Sequence, residues 1–163
     1  MNTTAIAQAM IHFCAGNRRD INHFLLVHAF AKMIGEMEQL DEQTQSILEI
    51  AAIVHDIPCP LCREKYGSVD GKLQELEGPA LTRAFLTPME LDAEWIDRIC
   101  WLVGHHHTYT NVDGLDHQIL LEADFLVNAH EQQLPVSAVE NMEKTVFRTN
   151  AGRELLRSMY LNN

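Results

Sequence analysis

Apolar residues recur at helical spacing along almost the whole chain, and Val, Ile and Thr nowhere alternate with polar residues long enough to suggest a sheet. A chain patterned in this way must bury helix against helix, so the expected fold class is all-α. Residues 4–14 read as a short first helix closed by Gly16. Asp20 is the expected N-cap of a long second helix running to about Glu38, with Phe24, Ala31 and Gly35 on its apolar stripe. Asp41 caps a third helix over 43–54, which Pro58 and Pro60 end. Residues 58–71 read as a loop. A fourth helix is expected over 73–86, with Gly78-Pro79 near its start or kinking it, and Asp92 caps a fifth over 93–103. A polar, turn-rich stretch over 108–116 precedes a sixth helix to about Glu131, and two amphipathic segments, 136–147 and 151–161, finish the chain.

At 163 residues the chain fits one domain, which can bury a sizeable core without disulfide staples. The formal net charge of −11 repels phosphate polymers and anionic bilayers, so neither DNA or RNA nor a membrane is an expected partner. A small phosphorylated ligand stays open, because a bound cation would be a local exception to that field. The first fourteen residues lack a basic leader, no run reaches the roughly 18 apolar residues of a membrane span, and four cysteines do not resemble a secreted disulfide framework. The expected compartment is the cytoplasm.

The chemistry is sought among polar residues on apolar faces. His28 is placed on the face of Phe24, Ala31 and Gly35. His55 and Asp56 end the apolar run Ile50-Ala51-Ala52-Ile53-Val54, and Asp124 lies among Leu120, Leu121 and Val127. A lone ionised carboxylate there would cost several kcal/mol or take up a proton. Singly, each has an ordinary explanation as a hydrogen-bonded core residue or a cap. Together, two imidazoles and two carboxylates on three apolar helices would offset one another's burial around a divalent cation.

His28, the adjacent pair His55-Asp56 and then Asp124 resemble, in order and setting, the H…HD…D signature of the HD superfamily, over about residues 20–131. The resemblance implies an HD-like helical bundle with a five-helix core and peripheral C-terminal helices over about 136–161. It implies a divalent transition metal (Mn, Fe, Zn, Ni or Co), one ion being expected and a second left open, held by His28, His55, Asp56 and Asp124. It also implies a metal-dependent phosphohydrolase acting on a nucleotide or small phosphate ester through a metal-activated water, with Asp56 a ligand that orients the water or bridges to a second ion.

Other residues carry secondary expectations. In Gly104-His105-His106-His107, His105 and His106 are favoured over His107 as contacts for a second metal or a substrate phosphate, since successive helical residues diverge by about 100°. Dinuclear relatives place a further histidine before a Gly-Ala pair; here the stretch is Gln74-Glu75-Leu76-Glu77-Gly78-Pro79, where Glu75 or Glu77 would have to substitute. Asp56, Glu77 and His105 are thus the candidate catalytic groups, and Lys32, Arg63, Lys65 and Lys72 the candidate phosphate contacts. The Cys59-Pro60-Leu61-Cys62 pair could be a redox pair, or half a zinc site if Cys14 and Cys100 converge on it, but reads first as structural or incidental thiols. Two other functions compete with the phosphohydrolase: a di-iron oxygenase using His105 and His106, and a non-catalytic sensor that retains the metal for structure. The final helices could pack on the core or pair with a second chain as a homodimer.

Overall fold

A computed structural model of the chain describes residues 3–161. Helices α1 (Thr3–Phe13), α2 (Arg18–Met37), α3 (Glu42–Val54), α4 (Cys59–Tyr66), α5 (Gly71–Leu86), α6 (Ala93–Val103), α7 (Gly114–Glu131), α8 (Val136–Thr145) and α9 (Asn150–Leu156) follow one another, with a short 3-10 turn at Thr87–Met89 and a wider π-type turn over Arg157–Leu161. No strand occurs among the described residues.

Two helices run through the interior. Every residue of α3 from Ile47 to Val54 is buried, as is every residue of α7 from Asp116 to Val127. A helix that is buried on all sides must be surrounded: α3 packs on α1, α2, α6 and α7, while α2 also lies along α7 and α5 along α6. The expected five-helix core is therefore α2, α3, α5, α6 and α7, with α8 and α9 on its periphery. No helix of the described residues is long and apolar enough to cross a membrane.

Two local expectations are corrected. Asn17, not Asp20, caps α2, its side chain accepting from the Asp20 backbone N–H. Residues 58–71 are not a continuous loop, because Cys59–Tyr66 is helical. The prolines end α3 and also start α4. Pro60 lies in the first turn, where its missing N–H would have no intrahelical partner. Gly67, at φ +64°, then closes α4 in the left-handed conformation. Pro79 sits inside α5, next to a close approach of two helices: a Cβ on Gly78 would lie 2.6 Å from Val103 Cγ1. That approach clamps α5 to the end of α6 and sets the height of the histidine turn that follows it.

Candidate metal centre

Four helices deliver groups to one point. His23 comes from the second turn of α2, His55 and Asp56 from the end of α3, Asp124 from the middle of α7, and His106 and His107 from the turn after α6. His23 Nε2 lies 3.2 Å from His55 Nε2, 3.2 Å from Asp124 Oδ1 and 3.4 Å from Asp56 Oδ2. His55 Nε2 lies 3.5 Å from Asp124 Oδ1 and 3.7 Å from Asp56 Oδ1. Asp56 also faces the second group, with His106 Nε2 3.6 Å from its Oδ1. Donor atoms of His23, His55 and Asp56 fall within 4.8 Å of one another, as do those of Asp56, His106 and His107. Asp56 belongs to both triads.

The tautomers suit a cation. His55 Nδ1 lies 2.8 Å from the Ala52 carbonyl and His106 Nδ1 2.7 Å from the Val103 carbonyl. A carbonyl only accepts, so both rings donate from Nδ1 and turn the Nε2 lone pair inward. His23 Nδ1 lies 3.2 Å from Glu131 Oε1, which fixes the third ring the same way. Buried Nε2 atoms of His106 and His107 have no hydrogen-bond partner. Inward lone pairs left unpaired in a buried site are costly, and a divalent ion satisfies them. The mixed N/O donor set suits a transition metal, so the residues present fit such an ion.

Electrostatics agree. Burial works against ionised Asp124, yet bonds from His23 and His55 hold its carboxyl well below the usual range. Burial likewise opposes ionised Asp56, and the charges of His55, His23 and His106 hold its carboxyl low. Burial disfavours charged His23, but the bond to Asp124 and the charges of Asp56, Asp124 and Glu131 prevail and raise it to about 9.

Several expected residues lie elsewhere. His28 is five residues, about 140°, around α2 from His23. Its Nε2 meets Glu49 Oε2 at 3.2 Å on the flank of α3, so His23 occupies the position expected of His28. Lys32 joins that flank, 3.4 Å from Glu49 and 3.3 Å from Glu36. His105 stacks on Trp101 with ring centroids 4.0 Å apart and donates from Nδ1 to the Trp101 carbonyl, facing away from the cluster. His107, the histidine that helical spacing disfavours, faces inward instead. Glu77 is bound by Lys65 at 2.6 Å and by the Tyr66 hydroxyl on the outer surface. Glu75 accepts from the His107 N–H and the Thr108 hydroxyl and so braces the histidine turn. Lys72 is exposed in the first turn of α5. The four cysteines are buried and free.

Above the cluster opens a cleft of about 230 Å³. His23, Asp56, His107 and Asp124 form its floor, and Arg19, Asp20, Arg63, Gln74, Glu131 and Gln132 stand among its walls. Of the four expected phosphate contacts only Arg63 lines it, held by Asp20 through bonds of 2.8 and 2.6 Å. Arg19 was not anticipated. Neither was Asn128, whose amide donates to Asp124 Oδ1 at 2.8 Å.

The family model described as HD domain matches residues 20–144. The chain belongs to the HD domain family. Its HD fold is also similar to a crystal structure described as a predicted HD superfamily hydrolase from an uncultured Thermotogales bacterium. The TM-score is 0.70 and the identity 23%, over 98% of this chain and 85% of that one. No curated protein matches the chain. HD domains form a family of metal-dependent hydrolases, and the His/Asp clusters described above are the part of this HD chain that could hold the divalent ion.

Proposed function

We propose that this HD chain is a metal-dependent phosphohydrolase for a small, hydrophilic phosphate ester. The observation that carries the reading is the pair of triads sharing Asp56 on the floor of a narrow cleft. His23, His55, Asp56 and Asp124 would hold one ion; Asp56, His106 and His107 would hold a second. When bound, such ions supply a Lewis acid that activates water and offsets charge developing on a phosphoryl group.

The protein's own groups have separable roles. Asp56, partly exposed to the cleft, would orient a water against the substrate. Asn128 holds Asp124 in its inward rotamer. Arg19 and Arg63 offer the positive charge an ester's remaining oxygens need in an otherwise acidic chain. A small polar leaving group, rather than a nucleoside, is favoured by the walls: apart from Cys59 and Val69 they are polar, and no Phe, Tyr or Trp is among the described lining residues. Base recognition usually relies on an aromatic stacking surface.

The test is metal analysis on chelator-free protein followed by a phosphate-release screen of sugar phosphates, polyol phosphates and nucleotides. Expected are one to two Mn, Zn, Co or Ni per chain and release that His55→Ala and Asp124→Ala abolish. Full activity of the metal-free protein would sink the mechanism. The Asp56, His106 and His107 triad also favours a second reading, a di-iron oxygenase. Two irons per chain with dioxygen uptake and no phosphate release would select it.

A further inference from the structure

The three rings with an occupied Nδ1 are not held alike. His55 and His106 donate to carbonyls three residues back in their own segments, Ala52 and Val103. Those acceptors are main chain and come with the local fold. His23 has a side-chain acceptor instead: Glu131 Oε1, 3.2 Å from Nδ1 and 108 residues away along the chain. Glu131 is the last residue of α7, one turn beyond Asn128, which holds Asp124. The final turns of α7 therefore reach two members of the same cluster, each through a side chain.

We infer that Glu131 is a positioning residue: it fixes His23 as the Nδ1–H tautomer and keeps Nε2 turned into the cluster. This rests on the metal-holding reading proposed above. Glu131 contacts the ring on Nδ1, whereas Nε2 is the atom near His55, Asp56 and Asp124, so the carboxylate acts through His23 and not beside it. A carboxylate on the remote N–H of a ligating imidazole orients the ring and raises the basicity of the ligating nitrogen. Of the three rings, His23 alone depends on a side chain for this, and it is also the ring that links α2 to the cluster. Glu131 is thereby a long-range coupling between the end of α7 and metal affinity, separate from the ligands themselves.

The test uses the full-length chain, zinc as the probe, and two readouts. Zinc affinity is measured calorimetrically for the wild type, Glu131→Gln and Glu131→Ala. The His23 ring tautomer is read in the zinc-loaded proteins from long-range nitrogen–proton NMR correlations. Loss of such a partner typically weakens metal binding about 10- to 100-fold. That loss is expected for Glu131→Ala, with His23 no longer held as a single Nδ1–H tautomer. Glu131→Gln keeps an acceptor oxygen without the charge, so it should retain the tautomer and lose less affinity; it decides the matter if the alanine variant folds poorly. Wild-type affinity in both variants with an unchanged His23 ring would overturn the positioning role and leave the metal site standing. No zinc binding by the wild type would overturn both.

Discussion

His23 and His28 show how much one position on a helix decides. Both flank the buried stripe of α2 that contains Phe24, Val27, Ala31 and Ile34, on opposite edges. His23 falls one turn before Val27 and faces the ends of α3 and α7; His28 falls one turn after Phe24 and faces Glu49. His23→Ala is expected to abolish binding of the first ion. His28→Ala should leave metal content unchanged and cost about 1 kcal/mol, the worth of one hydrogen bond, because Glu49 keeps Gln45 and Lys32. Metal analysis and urea melts of both variants check this, and loss of metal from His28→Ala would sink the assignment. The adjacent pair His55-Asp56 and Asp124 were legible because each interrupts an apolar run that has no other use for charge. The first histidine was not, since periodicity alone allowed either edge. The missing signal was Glu49, a carboxylate buried within the run Ile47–Val54 of α3. A charge in that setting demands a partner, and His28 is that partner.

At the scale of elements, the sequence revealed where helices run better than how their ends behave. The prolines at 58 and 60 break α3, but proline is equally suited to a first turn, so the same residues that signal a break also start α4. The histidine turn posed the same difficulty. Its rotation follows from contacts outside it: Glu75 binds the His107 N–H, and His107 packs on the first residue of α5. A Cβ on Gly71 would lie 2.7 Å from His107 Cγ, a distance the ring can relieve only by moving. Gly71→Ala is therefore expected to lower zinc stoichiometry at the second triad while sparing the first, at about 1–3 kcal/mol of overpacking. A zinc titration that keeps full stoichiometry would count against a role for His107. In the middle of α7, fully buried Glu122 accepts from the N–H groups of Arg148 and Thr149, the Thr149 hydroxyl and Gln118. It pins the α8–α9 connection to the core. Glu122→Ala leaves those donors unpaired and should cost about 3 kcal/mol or more in a urea melt, with metal content preserved in the folded fraction.

The whole molecule holds opposed titrating groups at one site, and this fixes how its stability should vary with pH. In the metal-free protein His23 is raised to about 9: burial opposes the charge, but Asp124, Asp56 and Glu131 outweigh it. His106 is also raised, since the Asp56 carboxylate overcomes burial. An unfolded histidine titrates near 6.5. The stabilisation from these two protonated rings is complete below about pH 6.5 and is lost as pH rises, through about 9 for His23. His107 runs the other way. Burial, aided by the charge of His106, lowers it to about 4, so its stabilisation is present above about pH 6.5 and fades as pH falls towards 4. Asp56 and Asp124, both held low, add a further loss in stronger acid. Chelator-treated protein should therefore be most stable near pH 6.5, with Tm declining on both sides. An ion held at His23 would take the place of its proton, so zinc-loaded protein should keep its Tm between pH 7 and 9 while the chelated form loses it. Thermal melts of the two forms over pH 4–9 make the comparison. A chelated protein that gains stability from pH 6.5 to 9 would mean that His23 carries no extra proton, and that the cluster is not the cation-shaped site its geometry describes.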